Sequence, residues 1–164
     1  MLKWLWLSAL VVALDLVSKA VMSHYLVLHE PVAIFPGFNL TLMHNPGAAF
    51  SFLRDASGWQ RWFFTAIALT VSVGIVIWLR RLHTHQRWLA AGLSLILGGA
   101  LGNVYDRLTL GYVVDFIEVY YREWYWPAFN VADSAISVGA VILVLDSFLN
   151  ERKDGVDSKS GESA

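Results

Sequence analysis

Residues 62–79 and 88–105 each run for 18 positions without a charged side chain. At 1.5 Å per residue such a run covers about 27 Å, close to the hydrocarbon thickness of a bilayer, so both stretches predict transmembrane helices. Residues 4–22 are equally apolar apart from Asp15 and Lys19, and residues 131–149 apart from Asp133 and Asp146. These predict two further spans. Lys3 followed by an apolar run also fits the start of a cleaved signal peptide. Asp15 and Lys19 interrupt that run and no small-x-small site closes it, so it is read as a retained helix.

Between the first two spans the pattern changes period. Residues 32–42 are rich in β-formers, Phe35-Pro36-Gly37 marks a turn, and Asn39 to Met43 alternates polar with apolar, which predicts a small hairpin or sheet at the membrane surface. Between the third and fourth spans, residues 113–120 predict a further strand. Trp124-Tyr125-Trp126-Pro127 follows, an aromatic run suited to the headgroup region. The expected fold is a mainly α membrane protein of four transmembrane helices with a small outward-facing β-sheet and a short interfacial aromatic segment. Residues 1–150 form one integral membrane domain, and the Ser/Gly/Lys/Glu-rich residues 151–164 form a disordered cytoplasmic tail.

Composition narrows the classes of function. With 57% apolar residues, 15% charged and a mean hydropathy of +0.53, a soluble chain of 164 residues could not bury its apolar surface. A formal net charge of −1 gives no basic excess for nucleic acid. Cysteine is absent, which removes thiol catalysis, disulfides and thiolate metal sites. Lys3, Arg80, Arg81, Arg87, Arg152, Lys153 and Lys159 fall on one side of the four spans, while only Arg54, Arg61, Arg107 and Arg122 fall on the other. By the positive-inside rule both termini are cytoplasmic and residues 23–61 and 106–130 face outward.

Most of the residues suited to chemistry lie in or beside those outward segments. Asp133 opens the fourth span and Asp115 lies just beyond the third, both near the outer interface. Singly, Asp133 reads as a helix-start acid and Asp115 as a solvated loop carboxylate. Grouped with Asn103, Arg107 and Asn130 at one depth, they describe a polar pocket that is costly to hold in a membrane without a use. Two carboxyls sharing a site cannot both ionise easily, so one keeps a proton while the other accepts one from water, the division of labour that amide hydrolysis needs. No metal or other cofactor is called for.

Asn103 and Arg107 share a helical face. Arg107 is expected to orient the carboxylates and Asn103 to bond substrate backbone, against the plainer reading of an arginine snorkelling to the interface. Asp15 and Lys19, also four apart, are expected to neutralise one another and to tie the first helix to its neighbours at the border of the site. Asn45, in a turn-forming Asn-Pro-Gly, is a candidate donor to an extended peptide. His83 and His85 read as polar loop residues. Gly98, Gly99 and Gly102 read as close helix packing.

These residues fall in runs that resemble the lipoprotein signal peptidases, or type II signal peptidases. The runs are Asp15 with Lys19, Asn45-Pro46-Gly47-Ala48-Ala49-Phe50, the stretch from Gly98 through Asn103 and Asp106 to Arg107, Val113-Val114-Asp115-Phe116, and Phe129-Asn130-Val131-Ala132-Asp133-Ser134. The resemblance covers nearly the whole chain in order and spacing. It implies an intramembrane aspartic endopeptidase with Asp115 and Asp133 as its catalytic pair. Asn45, Asn103, Arg107 and Asn130 would line the site, with Asp15 and Lys19 in support. It further implies a substrate, a prolipoprotein cut immediately before its diacylglyceryl-modified cysteine; an inhibitor, globomycin; and a place in the bacterial cytoplasmic (inner) membrane with the site near the outer leaflet. Membrane lipid is a partner, nucleic acid is not, and a monomer is expected. Two rivals remain, a small proton-coupled transporter and a lipid-binding membrane subunit. The first predicts polar residues through the whole bundle, whereas residues 62–79 offer only Thr65, Thr70 and Ser72, and residues 88–105 only Ser94 and Asn103. The second leaves the two aspartates without a task.

Overall fold

The structure is a computed structural model that describes residues 1–47 and 58–161, with side chains placed through residue 149. A 3-10 turn, Leu2–Trp4, leads into α1, Leu5–Tyr25. The hairpin of β1, Pro31–Phe35, and β2, Phe38–Asn45, follows. Then come α2, Trp59–Arg81, α3, Arg87–Thr109, β3, Val113–Tyr121, β4, Trp124–Tyr125, and α4, Val131–Gly161.

Among the described residues four helices are long and apolar enough to cross a membrane, over Leu2–Tyr25, Trp59–Arg81, Arg87–Thr109 and Val131–Leu149. The first three outrun the apolar windows of the sequence by a few residues at their ends. A helix is continued by its backbone bonds, and Arg, Tyr and Gln are tolerated in those turns. For the same reason α4 passes the end of its apolar window at Leu149 and runs to Gly161, where the sequence predicts an unstructured tail. Asn150-Glu151-Arg152-Lys153 contains no breaker and three good helix formers.

The centre of the bundle is α3, of whose apolar window 56% is buried, against 22% for α1 and α2 and 17% for α4. Its small residues make this approach possible. A Cβ added at Gly98 would sit 2.7 Å from the Cβ of Val11, and one at Gly99 would overlap the Ala132 carbonyl. One at Gly102 would sit 2.6 Å from Asp15 Oδ2. At the end where α2 passes into α3, Ile75, Leu79, Leu82, Ala90, Leu93 and Leu97 form an apolar core. The outward faces carry exposed Leu, Val, Ile and Trp, as helices facing lipid require.

The four strands form one antiparallel sheet in the order β1-β2-β3-β4. Gly37, at φ +93°, makes the turn between β1 and β2, and its carbonyl accepts from the Tyr120 amide at 3.0 Å. After β4 the chain returns to β3: the Phe129 carbonyl accepts from Phe116 and Ile117, and the Phe129 amide donates to Ile117. That clasp sets Asn130, the next residue, beside β3 at the start of α4. Trp124, Tyr125 and Trp126 are exposed.

Candidate active site

Asn130 and Asp133 begin α4 with reciprocal bonds. The Asp133 amide donates to Asn130 Oδ1 at 2.9 Å, and the Asn130 amide donates to Asp133 Oδ2 at 3.3 Å. This is a capping box, which satisfies two helix-start amides. The helix-start role expected of Asp133 therefore coexists with its exposure to the site, because its Oδ1 is bonded separately by Asn103 Nδ2 at 2.8 Å.

The Asn130 side chain reaches the other carboxyl. Its Nδ2 donates to Asp115 Oδ1 at 2.7 Å and lies 3.2 Å from both the Val114 carbonyl and Asn103 Oδ1. Asp115, 2% exposed, also accepts from Asn45 Nδ2 at 3.1 Å. Asn45 is held by its own turn, its Oδ1 accepting from the Gly47 amide at 2.9 Å. Residues 48–50, the rest of that run, lie outside the described residues. Burial pushes the Asp115 carboxyl up to about 7, and the Asp133 charge adds to the rise against the opposing bonds from Asn45 and Asn130 and the charge of Lys19.

Beneath the carboxyls lies a second polar layer built around Lys19. Its Nζ is 2.7 Å from Asp15 Oδ2, 2.9 Å from Asp106 Oδ2 and 3.0 Å from Asn103 Oδ1, so all three ammonium donors are taken. Asp15 also accepts from the Ala132 amide at 2.9 Å, in the first turn of α4. Asp106 accepts from the Val114 amide at 3.0 Å, immediately before Asp115. Lys19 thus faces two carboxylates, not Asp15 alone, and each carboxylate also holds backbone next to one aspartate of the site. The sequence reading holds Asp106 only within the run from Gly98 to Arg107 and gives it no part in the site. Its signal is spacing: it follows Asn103 by three and Gly102 by four, on the buried face of α3.

Arg107 lies close enough to Asp133 and Asp115 for their charges to act on it. Its NH1 donates to the Asn103 carbonyl at 3.4 Å and its guanidinium lies 5.7 Å over Phe64, with no hydrogen bond to Asp115 or Asp133 among the described residues. Asn45, Asn103, Asn130, Asp115, Asp133, Asp15 and Lys19 are joined in one network. Among the described residues no three His, Cys, Asp or Glu side chains are grouped to hold a metal ion. His83 and His85 stack on each other in the α2–α3 loop, remote from the network in the chain.

Comparison with known proteins gives the family of the chain. The model of the family described as signal peptidase (SPase) II matches residues 7–149. The chain is 54% identical to the lipoprotein signal peptidase of Pseudomonas aeruginosa over 165 aligned residues, covering 99% of this chain and 94% of that one. It is 51% identical to that of Alteromonas mediterranea, with 99% and 91% covered. Among solved structures it resembles a bacterial membrane enzyme determined by the in meso method at 2.3 Å, with a TM-score of 0.80 at 26% identity, covering 94% of this chain and 92% of that one.

Proposed function

The chain belongs to the signal peptidase II family, and from that premise and the geometry of the network we propose that it is an aspartic endopeptidase whose catalytic pair is Asp115 and Asp133. The observation that carries this reading is that Asn130 bonds both carboxyls, through its side chain to Asp115 and through its backbone to Asp133. A single residue spanning two carboxyls fixes their spacing as a unit, which general acid–base work on one water requires. Asp115, pushed up to about 7 by burial and the neighbouring charge, is suited to hold the proton at neutral pH. Asp133 takes the proton of the attacking water. Asp115 protonates the carbonyl oxygen as the tetrahedral centre forms, and one of the pair then delivers a proton to the leaving amine.

The substrate we assign is a prolipoprotein, cut before its diacylglyceryl-modified cysteine, as the name of the relatives and the family resemblance imply. Acyl chains anchored in the bilayer hold the scissile bond near an interface, and the network lies at the sheet end of the bundle, where such a bond would come. The Lys/Arg asymmetry supports a reading with both termini in the cytoplasm and this end at the outer leaflet of the bacterial inner membrane. Globomycin is expected to block the site.

Asp115→Asn and Asp133→Asn test the pair. Each should lower cleavage of a lipidated prolipoprotein peptide by about 10²–10⁴-fold while leaving expression and membrane insertion at wild-type levels. Activity within tenfold of wild type in either variant removes the assignment.

A further inference from the structure

On the other face of the sheet a second carboxyl is buried. Glu118, 8% exposed, accepts at one oxygen from Asn39 Nδ2 at 3.0 Å and from Thr41 Oγ1 at 2.8 Å. Asn39 and Thr41 are themselves buried, at 7% and 3%. Nothing in the catalytic reading uses these three residues. Their position in the register shows what they do.

Phe38, Asn39 and Leu40 stand opposite Val119, Glu118 and Ile117, whereas Met43, His44 and Asn45 stand opposite Asp115, Val114 and Val113. The register slips by one between Leu40 and Met43, so Thr41 and Leu42 together face Phe116. This is a β-bulge, and it inverts the alternation of β2. Asn39 and Thr41 reach Glu118, on the face away from Asp115. Asn45 lies an even number of residues further on. In a regular strand it would share their face and point away from the site. Because the bulge intervenes, it stands on the face of Asp115 and donates to its carboxyl at 3.1 Å.

We propose that Glu118, by accepting from Asn39 and Thr41, fixes this bulge and is thereby a positioning residue that holds Asn45 on Asp115. The inference rests on the catalytic pair proposed above. Among the described residues no other side-chain hydrogen bond runs from residues 39–43 of β2 to β3. A carboxyl oxygen gripping residues 39 and 41 at once distinguishes the bulged register from its neighbours by two hydrogen bonds on a buried site, where unmade bonds are costly.

The effect has a signature that loss of stability lacks. Asp115 faces Asp133 on α4, Lys19 on α1 and Arg107 on α3, besides the donors Asn45 and Asn130. Of these, only Asn45 comes from β2. If the bulge relaxes, Asp115 loses that donor and keeps its proton to higher pH. The test is the pH–rate profile of the purified full-length protein on a lipidated prolipoprotein peptide, for wild type, Glu118→Leu, Thr41→Val, Glu118→Gln and Asn45→Ala.

Glu118→Leu should lower kcat by about tenfold and move the alkaline limb upward by about half a pH unit or more, as Asn45→Ala does. Combining the two should move it no further. Glu118→Gln, whose amide oxygen accepts from the same two donors, should restore both rate and limb. Thr41→Val, which removes one bond and little volume, should give a smaller shift in the same direction and reads the same limb if Glu118→Leu does not fold. A limb unmoved in folded Glu118→Leu or, failing that, in Thr41→Val, while Asn45→Ala moves it, overturns the proposal. Retained activity in Asp115→Asn would instead overturn the catalytic pair itself.

Discussion

At the end of the bundle where α2 passes into α3, Ile75, Leu79 and Leu82 pack on Ala90, Leu93 and Leu97. At the sheet end of the same helix, Asn103 and Asp106 meet Lys19, Asn130 and Asp133 through bonds of defined length and direction. The first end needs only apolar groups of suitable volume, because dispersion contacts are many and individually weak. The second needs particular atoms, because each buried polar group without its partner costs the full desolvation of that group. A volume-conserving change such as Leu93→Met should therefore be nearly silent, whereas an isosteric change in the network should not.

The sharpest contrast is expected at Lys19. Lys19→Met keeps most of the volume yet strands Asp15 and Asp106 in a buried setting. Breaking such a cluster from one side costs about 3–5 kcal/mol, read as a large fall in the thermal midpoint in detergent. Asp15→Leu combined with Lys19→Met should recover only part of this, because Asp106 remains without its cation; adding Asp106→Asn should recover more. A double variant as stable as wild type would show that Lys19 does not hold Asp106. Activity per folded molecule should stay low in the two variants that lack Asp15, since Asp15 also takes the Ala132 amide next to Asp133.

The glycines give a smaller contrast. Gly102→Ala puts a methyl 2.6 Å from Asp15 Oδ2, pressing the helix against the ion cluster, and overpacking of this kind costs about 1–3 kcal/mol. Gly74→Ala, on α2, meets nothing within 4 Å. It should leave stability unchanged or raise it by up to about 1 kcal/mol through the unfolded chain. Thermal midpoints of the two variants in the same detergent check both signs. Equal losses would mean that α3 is no more tightly constrained than α2.

The sequence exposes these regions unequally. The spans were legible because eighteen uncharged positions admit few other structures in this composition, and the sheet because β-formers and Pro36-Gly37 break the helical period. Asp115, Asp133 and their asparagines were legible because polar groups at membrane depth are rare. Partners across the bundle are not: spacing pairs Lys19 with Asp15, four apart, while the spacing of Asp106, 87 positions from Lys19, marks only a shared face of α3 and not the ion pair it makes. Glu118 has no sign in the sequence, because one polar residue in a strand fits a solvated face equally well. That Asn45 faces Asp115 depends on a bulge whose extra residue shows only once β2 is laid on β3. Arg107 fits a guanidinium lying over Phe64 as well as one directed at a carboxyl, and spacing alone does not decide between them.

The contrast that separates the two ends without any substitution is the response to pH. The apolar core holds no ionisable side chain, whereas the site holds Asp115, whose carboxyl is raised to about 7 by burial and then by Asp133. Below about pH 4 the folded and unfolded chains both carry the proton, and Asp115 makes no difference between them. Between there and about 7 the folded chain keeps a proton that the unfolded chain has lost, so more protons are bound in the native state and stability falls as pH rises, by at most about 1.4 kcal/mol per unit from this group. Above 7 both have lost it and the loss is complete. Activity follows the same group. If protonated Asp115 is the acid, kcat/KM should fall as pH rises through about 7, approaching tenfold per unit, and Leu93→Met should leave that limb in place while Asn45→Ala moves it upward. A rate that instead rises through pH 7, in protein whose thermal midpoint is falling, would assign the proton to Asp133 and make Asp115 the base.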